Sequence, residues 1–202
     1  MAEIQRPEEK MRMVALEYLK STYAEDFTAV RYVSRNWAYD FSRIYVTSPR
    51  YPGVEIEVRI HEKDGKYTFQ DNYYHCYMME DAVSYFNKLD NIQPAEIRVR
   101  FPSNIWSDRM AAYDTFEAWV ESGMCAMDVF VITGASLTEE EMRSWTELVC
   151  AKRIRGAIQF FTTKDENLLS DYSLDEILNN QRELTESGEK YYIDTDFVIN
   201  RR

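Results

Sequence analysis

Apolar positions keep a helical beat up to residue 23 and then switch to alternation. Met11, Val14, Ala15, Tyr18 and Leu19 recur at helical spacing, which predicts an amphipathic helix over 7–23. Pro7 suits its first position, and Glu8 and Glu9 suit its positive end. From Phe27 the period is two. Segments 27–34 and 39–47 are rich in aromatic and β-branched residues, and Val54-Glu55-Ile56-Glu57-Val58-Arg59-Ile60 alternates without a break. Tyr51-Pro52-Gly53 reads as the turn before that strand. Lys63-Asp64-Gly65-Lys66 reads as the hairpin after it, since Asp-Gly accepts the positive φ of a type I′ turn, and Tyr67-Thr68-Phe69 then returns antiparallel.

A second helix is expected over 79–89, with Ala82, Val83, Phe86 and Leu89 inward. Asn91-Ile92-Gln93-Pro94 then breaks the chain. Beyond it the elements alternate: a strand at 97–101, a short helix capped near Asp114-Thr115 and ended by Gly123, and a strand at 127–133. Next comes a helix opened by the capping box Thr138–Glu141 and the staple Leu137/Met142. A strand at 157–163, a capped helix at 173–186 and a closing strand at 191–199 complete the order, with 102–113 as the longest linker. The fold class is therefore α+β: an N-terminal helix packed on a four-stranded antiparallel meander, followed by alternating β-α-β-α-β elements. Two domains are expected, 1–93 and 94–202, the second packed against the first.

Charge narrows the classes of partner. The chain carries 24 basic and 35 acidic side chains, a net of −11. Such a field repels phosphate backbones, so no nucleic-acid partner is expected. No stretch is long and apolar enough for a transmembrane segment. Met1–Arg6 has no apolar core of a leader, and the odd set Cys76, Cys125 and Cys150 fits a reduced compartment. The expected location is the cytoplasm, or the cell envelope if a leader was removed.

Tyr18-Leu19-Lys20 with Tyr23 near the end of the first helix, Trp37 and Tyr39 on the following strand, and Asp71-Asn72-Tyr73-Tyr74 before the second helix resemble small lipoprotein-like proteins of Gram-positive gut bacteria. The resemblance extends to Phe161 and implies a helix wrapped by a meander, cystatin-like in outline. It brings no activity with it, and the leader and lipid-bearing cysteine of such proteins have no counterpart in this sequence.

Several short patterns imitate reactive sites. Val129–Ser136 runs from an apolar strand into Gly134, but Glu139-Glu140-Glu141 would stand where a dinucleotide needs amides. Asp194-Thr195-Asp196 would put two carboxylates on one strand face, the geometry of a divalent-cation site, with no nucleotide fold around it. His75-Cys76 lacks a third orienting residue, and His61 could approach only through the fold. Glu55 and Glu57 share a strand face that solvent exposure already explains. No catalytic residue, metal ligand or cofactor is assigned.

The aromatic supply remains. Fifteen tyrosines exceed core needs, and many crowd the meander and its exit. Trp37, Tyr39, Tyr45, Tyr73 and Tyr74 are the candidate partner-binding residues. The expected function is a non-enzymatic binding or interaction protein whose aromatic sheet face contacts a protein or peptide. The alternatives are an acidic inhibitor or immunity-type protein blocking a basic site, and an enzyme whose site is assembled from distant residues. The oligomeric state is left open.

Overall fold

The computed structural model describes residues 6–89, 95–103, 105–110, 113, 115–164, 171–185 and 187–201. It has the α+β order expected from the sequence. Two compact units result, one formed by residues 1–76 with 103–112 and the other by 77–102 with 113–202. The chain break expected at Asn91–Pro94 lies outside the described residues.

In the first unit, α1 (Pro7–Tyr23) buries Met11, Ala15 and Leu19, four residues apart and hence on one stripe. Pro7 stands at its start, Glu9 accepts from the Arg6 N–H at 3.4 Å, and Ala24 ends it in the left-handed region by donating to the Lys20 carbonyl. The stripe lies on a meander of β1 (Thr28–Val33), β2 (Phe41–Ser48), β3 (Tyr51–Lys63) and β4 (Lys66–Asp71), antiparallel in that order. Ser42, Ile44, Val46 and Ser48 of β2 and Ile56, Val58 and Ile60 of β3 are buried, while the residues between them on both strands stay partly exposed. Asp64 and Gly65 both take positive φ (51° and 74°) at the β3–β4 turn, as Asp-Gly predicts.

Asp71, at the end of β4, is fully buried. Its carboxylate accepts from Tyr18 Oη at 2.7 Å, from Tyr23 Oη at 2.9 Å and from the Tyr73 N–H at 2.9 Å. Two tyrosines of α1 are thereby fixed to the last residue of the sheet, and Tyr18 also stacks on Phe69 at 4.5 Å. Strand β4 is an edge, and its outward Asp71 N–H donates to Ser107 Oγ at 2.9 Å. Ser107 opens the short helix α3 (Ser107–Met110), so the segment expected as a linker instead covers the sheet edge.

Helix α2 (Tyr74–Lys88) begins five residues earlier than the periodicity predicts, because Tyr74, Cys76 and Met78 are buried and only the later turns show a polar face. Its first turn belongs to the first unit and the rest to the second.

The second unit holds β5 (Ala95–Arg100), β6 (Asp128–Thr133), β7 (Gly156–Thr162), β8 (Ser187–Ile193) and β9 (Ile199–Arg201) in that spatial order. Only β6 and β7 pair in parallel, which requires a crossover, and α5 (Glu139–Ala151) supplies it. Thr138 and Glu141 form the expected capping box, with Thr138 Oγ1 accepting from the Glu141 N–H at 3.2 Å. Trp145 of α5 meets Phe160 edge-on at 5.9 Å. On the alternate positions Phe130, Ile132 and Phe161 pack with Ile177 of α6 (Leu174–Asn179). Apolar neighbours on both faces explain the unbroken apolar run of β6. The short α4 (Phe116–Glu121) is capped by Thr115, which accepts from the Ala118 N–H. The helix expected over 173–186 divides at Asn180 into α6 and α7 (Gln181–Leu184).

Two substitutions test this account. Asp71→Ala leaves two tyrosine hydroxyls and one N–H without their acceptor, and should lower unfolding free energy by about 3 kcal/mol in urea titration. Tyr18→Phe added to it should cost little more, because the partner is already gone. Gly156 has φ 128°, and a Cβ there would lie 1.9 Å from the Met127 carbonyl oxygen. Gly156→Ala should therefore yield insoluble protein or a melting temperature lowered by more than about 10 °C.

Candidate functional site

Alternation along β2 and β3 aims one set of side chains at α1 and the other set at the opposite face of the sheet. That outer set is Phe41, Arg43 and Tyr45 on β2 with Glu55, Glu57, Arg59 and His61 on β3, joined by Arg31 of β1. The register places Arg31 beside Tyr45, Tyr45 beside Glu57, Phe41 beside His61 and Arg43 beside Arg59.

These side chains form a lattice of rings, guanidinium groups and carboxylates. Arg31 lies over the Tyr45 ring at 3.3 Å and grips Glu55 through Nε and Nη2, at 3.3 and 2.7 Å. The same contact holds the Glu55 carboxyl below its ordinary range and raises the guanidinium. Tyr45 Oη donates to Glu57, which also accepts from Arg59 Nε at 3.0 Å. Arg59 sits between Trp106 and Phe41, at 3.7 and 4.7 Å from the ring centres. Tyr39 packs beside Phe41 at 5.4 Å, and Arg43 lies over Tyr39 at 5.1 Å.

Arg43 differs from the other two arginines. Among the described residues it has no carboxylate partner, while Arg31 and Arg59 each hold one. It also faces Arg59 directly across the strands, a like-charge pairing that costs stability. The hairpin joining β1 to β2 adds Trp37, fully exposed (100%) at its tip. That turn is ordered: Asn36 Oδ1 accepts from the Ala38 and Tyr39 N–H groups at 2.9 and 3.2 Å.

The five aromatic residues singled out in the sequence therefore divide. Trp37, Tyr39 and Tyr45 belong to the turn and the outer face. Tyr73 and Tyr74, 1% and 0% exposed, are core residues and present no surface to a partner. Tyr73 donates to Glu25 at 2.5 Å and meets the rings of Tyr23, Phe27 and Tyr51. Tyr74 donates to the Ile105 carbonyl at 3.1 Å and pairs with His75 Nε2 at 2.8 Å. Sequence reasoning missed Arg31, Arg43, Arg59 and Trp106. The first three could have been found from their odd-numbered positions beside Tyr45 and Glu57 on the alternating strands; Trp106 carried no such signal.

The reactive-looking motifs have structural explanations. Asp194 and Asp196 lie in the β8–β9 turn and not on a strand face, since Asp194 Oδ1 accepts from the Asp196 and Val198 N–H groups, both at 2.9 Å. Burial pushes the Cys76 thiol up to about 11, and His75 is engaged by Tyr74 rather than by that thiol. Cys125 is fully buried and its thiol is pushed higher still. Cys150 Sγ donates to the Phe197 carbonyl at 3.2 Å. His61 sits on the outer face 3.8 Å from Asp40. No group of three or more metal-ligating side chains occurs among the described residues, and none of their helices is long and apolar enough to cross a membrane.

No protein-family model matches the chain, and no curated protein matches it significantly. Among solved structures, a DUF5037 family protein from Ruminococcus gnavus ATCC 29149 is similar over 92% of this chain and 93% of that one, with 13% identity and a TM-score of 0.46.

A raised pKa removes thiolate, the form that reacts with alkylating agents. At pH 8 only about one Cys76 in a thousand would be ionised. Iodoacetamide at pH 8 should therefore spare Cys76 and Cys125 in native protein and modify both in 6 M guanidinium, as read by peptide mass spectrometry.

Proposed function

We propose that this chain is a non-enzymatic binding protein whose outer sheet face, with Trp37 at its rim, contacts a protein or peptide. The observation that carries this reading is the fully exposed indole of Trp37, held on an ordered turn that leads into Tyr39, over whose ring Arg43 lies. A large ring left wholly in water contributes nothing to the core. Tryptophan, tyrosine and arginine are also the residue types that most often anchor interfaces. The cross-braced rings and guanidinium groups behind it are already ordered, so binding would lose little side-chain entropy.

A random peptide library displayed on phage tests the proposal. Selected peptides should bind at least tenfold more weakly to Trp37→Ala and to Tyr39→Ala, with melting temperatures within about 2 °C of the parent. Peptides that bind both variants as well as the parent would overturn the reading. So would a large fall in melting temperature, which would make these rings structural.

A further inference from the structure

The unmatched guanidinium of Arg43 narrows the chemistry of that partner. We infer that the outer face receives an acidic peptide segment, one of whose carboxylates docks on Arg43 beside Tyr39 and Trp37. This inference rests on the binding role proposed above and adds the charge of the ligand.

Three observations support it. On this face every carboxylate of β3 is already occupied, Glu55 by Arg31 and Glu57 by both Arg59 and Tyr45. A basic ligand would have to break one of those contacts to pair with Glu55 or Glu57, which leaves it only Asp40, 3.8 Å from His61. Of the three arginines on this face, Arg43 is the one without a carboxylate partner among the described residues, and it lies opposite Arg59, whose charge Glu57 already offsets. A carboxylate placed there would gain a charge-assisted bond and relieve the repulsion between the two arginines.

The wider field also allows it. Residues 1–76 with 103–112 carry 12 basic and 13 acidic side chains, a net of −1, whereas 77–102 with 113–202 carry 12 and 22, a net of −10. Nearly all the net negative charge of the chain thus lies outside the unit that carries this face. Tyr39 flanks the Arg43 guanidinium at 5.1 Å, and the planar fork of a guanidinium favours two-pronged recognition of a carboxylate over a diffuse attraction.

Fluorescein-labelled decapeptides alternating Glu-Thr, Gln-Thr and Lys-Thr, titrated by anisotropy into full-length protein, test the inference. The Glu-Thr peptide should bind best and weaken as salt rises, and Arg43→Gln should weaken it at least tenfold. Arg43→Lys, which keeps the charge without the planar fork, should fall between them and also serves if Arg43→Gln does not fold. Equal or tighter binding of the Lys-Thr or Gln-Thr peptide, an Arg43→Gln variant that binds normally, or no Glu-Thr binding at all would overturn it. If library-selected peptides remain dependent on Trp37 while being basic or neutral, the acidic ligand falls and the binding face stands. If no selected peptide depends on Trp37, the binding face falls as well.

Discussion

The carboxylate of Asp71 is the point on which the first unit is assembled. A buried charge is costly unless several donors replace its water, and here two phenols of α1 and one N–H at the mouth of α2 do so. Each donor comes from a different turn of the chain, so one group sets both the azimuth of α1 and the exit of the chain from the sheet. Hydrophobic contact alone would let α1 slide or rotate on the meander; directional bonds to one anchored acceptor do not. With α1 held on one face of the sheet, the opposite face can be given over to rings and charges.

Much of this was readable in the residues. Uninterrupted alternation over Val54–Ile60 and the Asp64-Gly65 pair located the central hairpin, because both signals are local and backbone sterics alone give rise to them. The Thr138–Glu141 box marked a helix start for the same reason. Failures arose where distant partners decide. Tyr73 and Tyr74 looked like surface rings because tyrosine tolerates water, yet Glu25 and the Ile105 carbonyl satisfy their hydroxyls inside the core. The Asp194-Thr195-Asp196 triplet looked like a strand because its flanks are strands; its first carboxylate instead closes a turn. The outer lattice was half visible: Tyr45 and Glu57 follow from alternation, but that Arg43 meets no carboxylate among the described residues depends on cross-strand register, which no single segment encodes.

That lattice also shows how an antiparallel sheet can keep one face wet and still ordered. Rim charges on flexible side chains contribute little on their own, but sandwiching Arg59 between Phe41 and Trp106 and pinning it to Glu57 restricts its motion from three sides. The face is braced around Arg59, and Trp37 stands exposed at its turn.

The contribution of Ser107 to the β4 edge has a consequence for how the protein is made. Thirty-six residues separate it from the N–H it covers, so during synthesis the meander emerges complete while its last edge still lacks a cover. Until the ribosome has released the stretch around Trp106 and Ser107, the nascent sheet offers an open strand to any neighbouring chain. Slow translation or early truncation between positions 76 and 103 would prolong that exposure and favour misassociation of otherwise correctly paired strands.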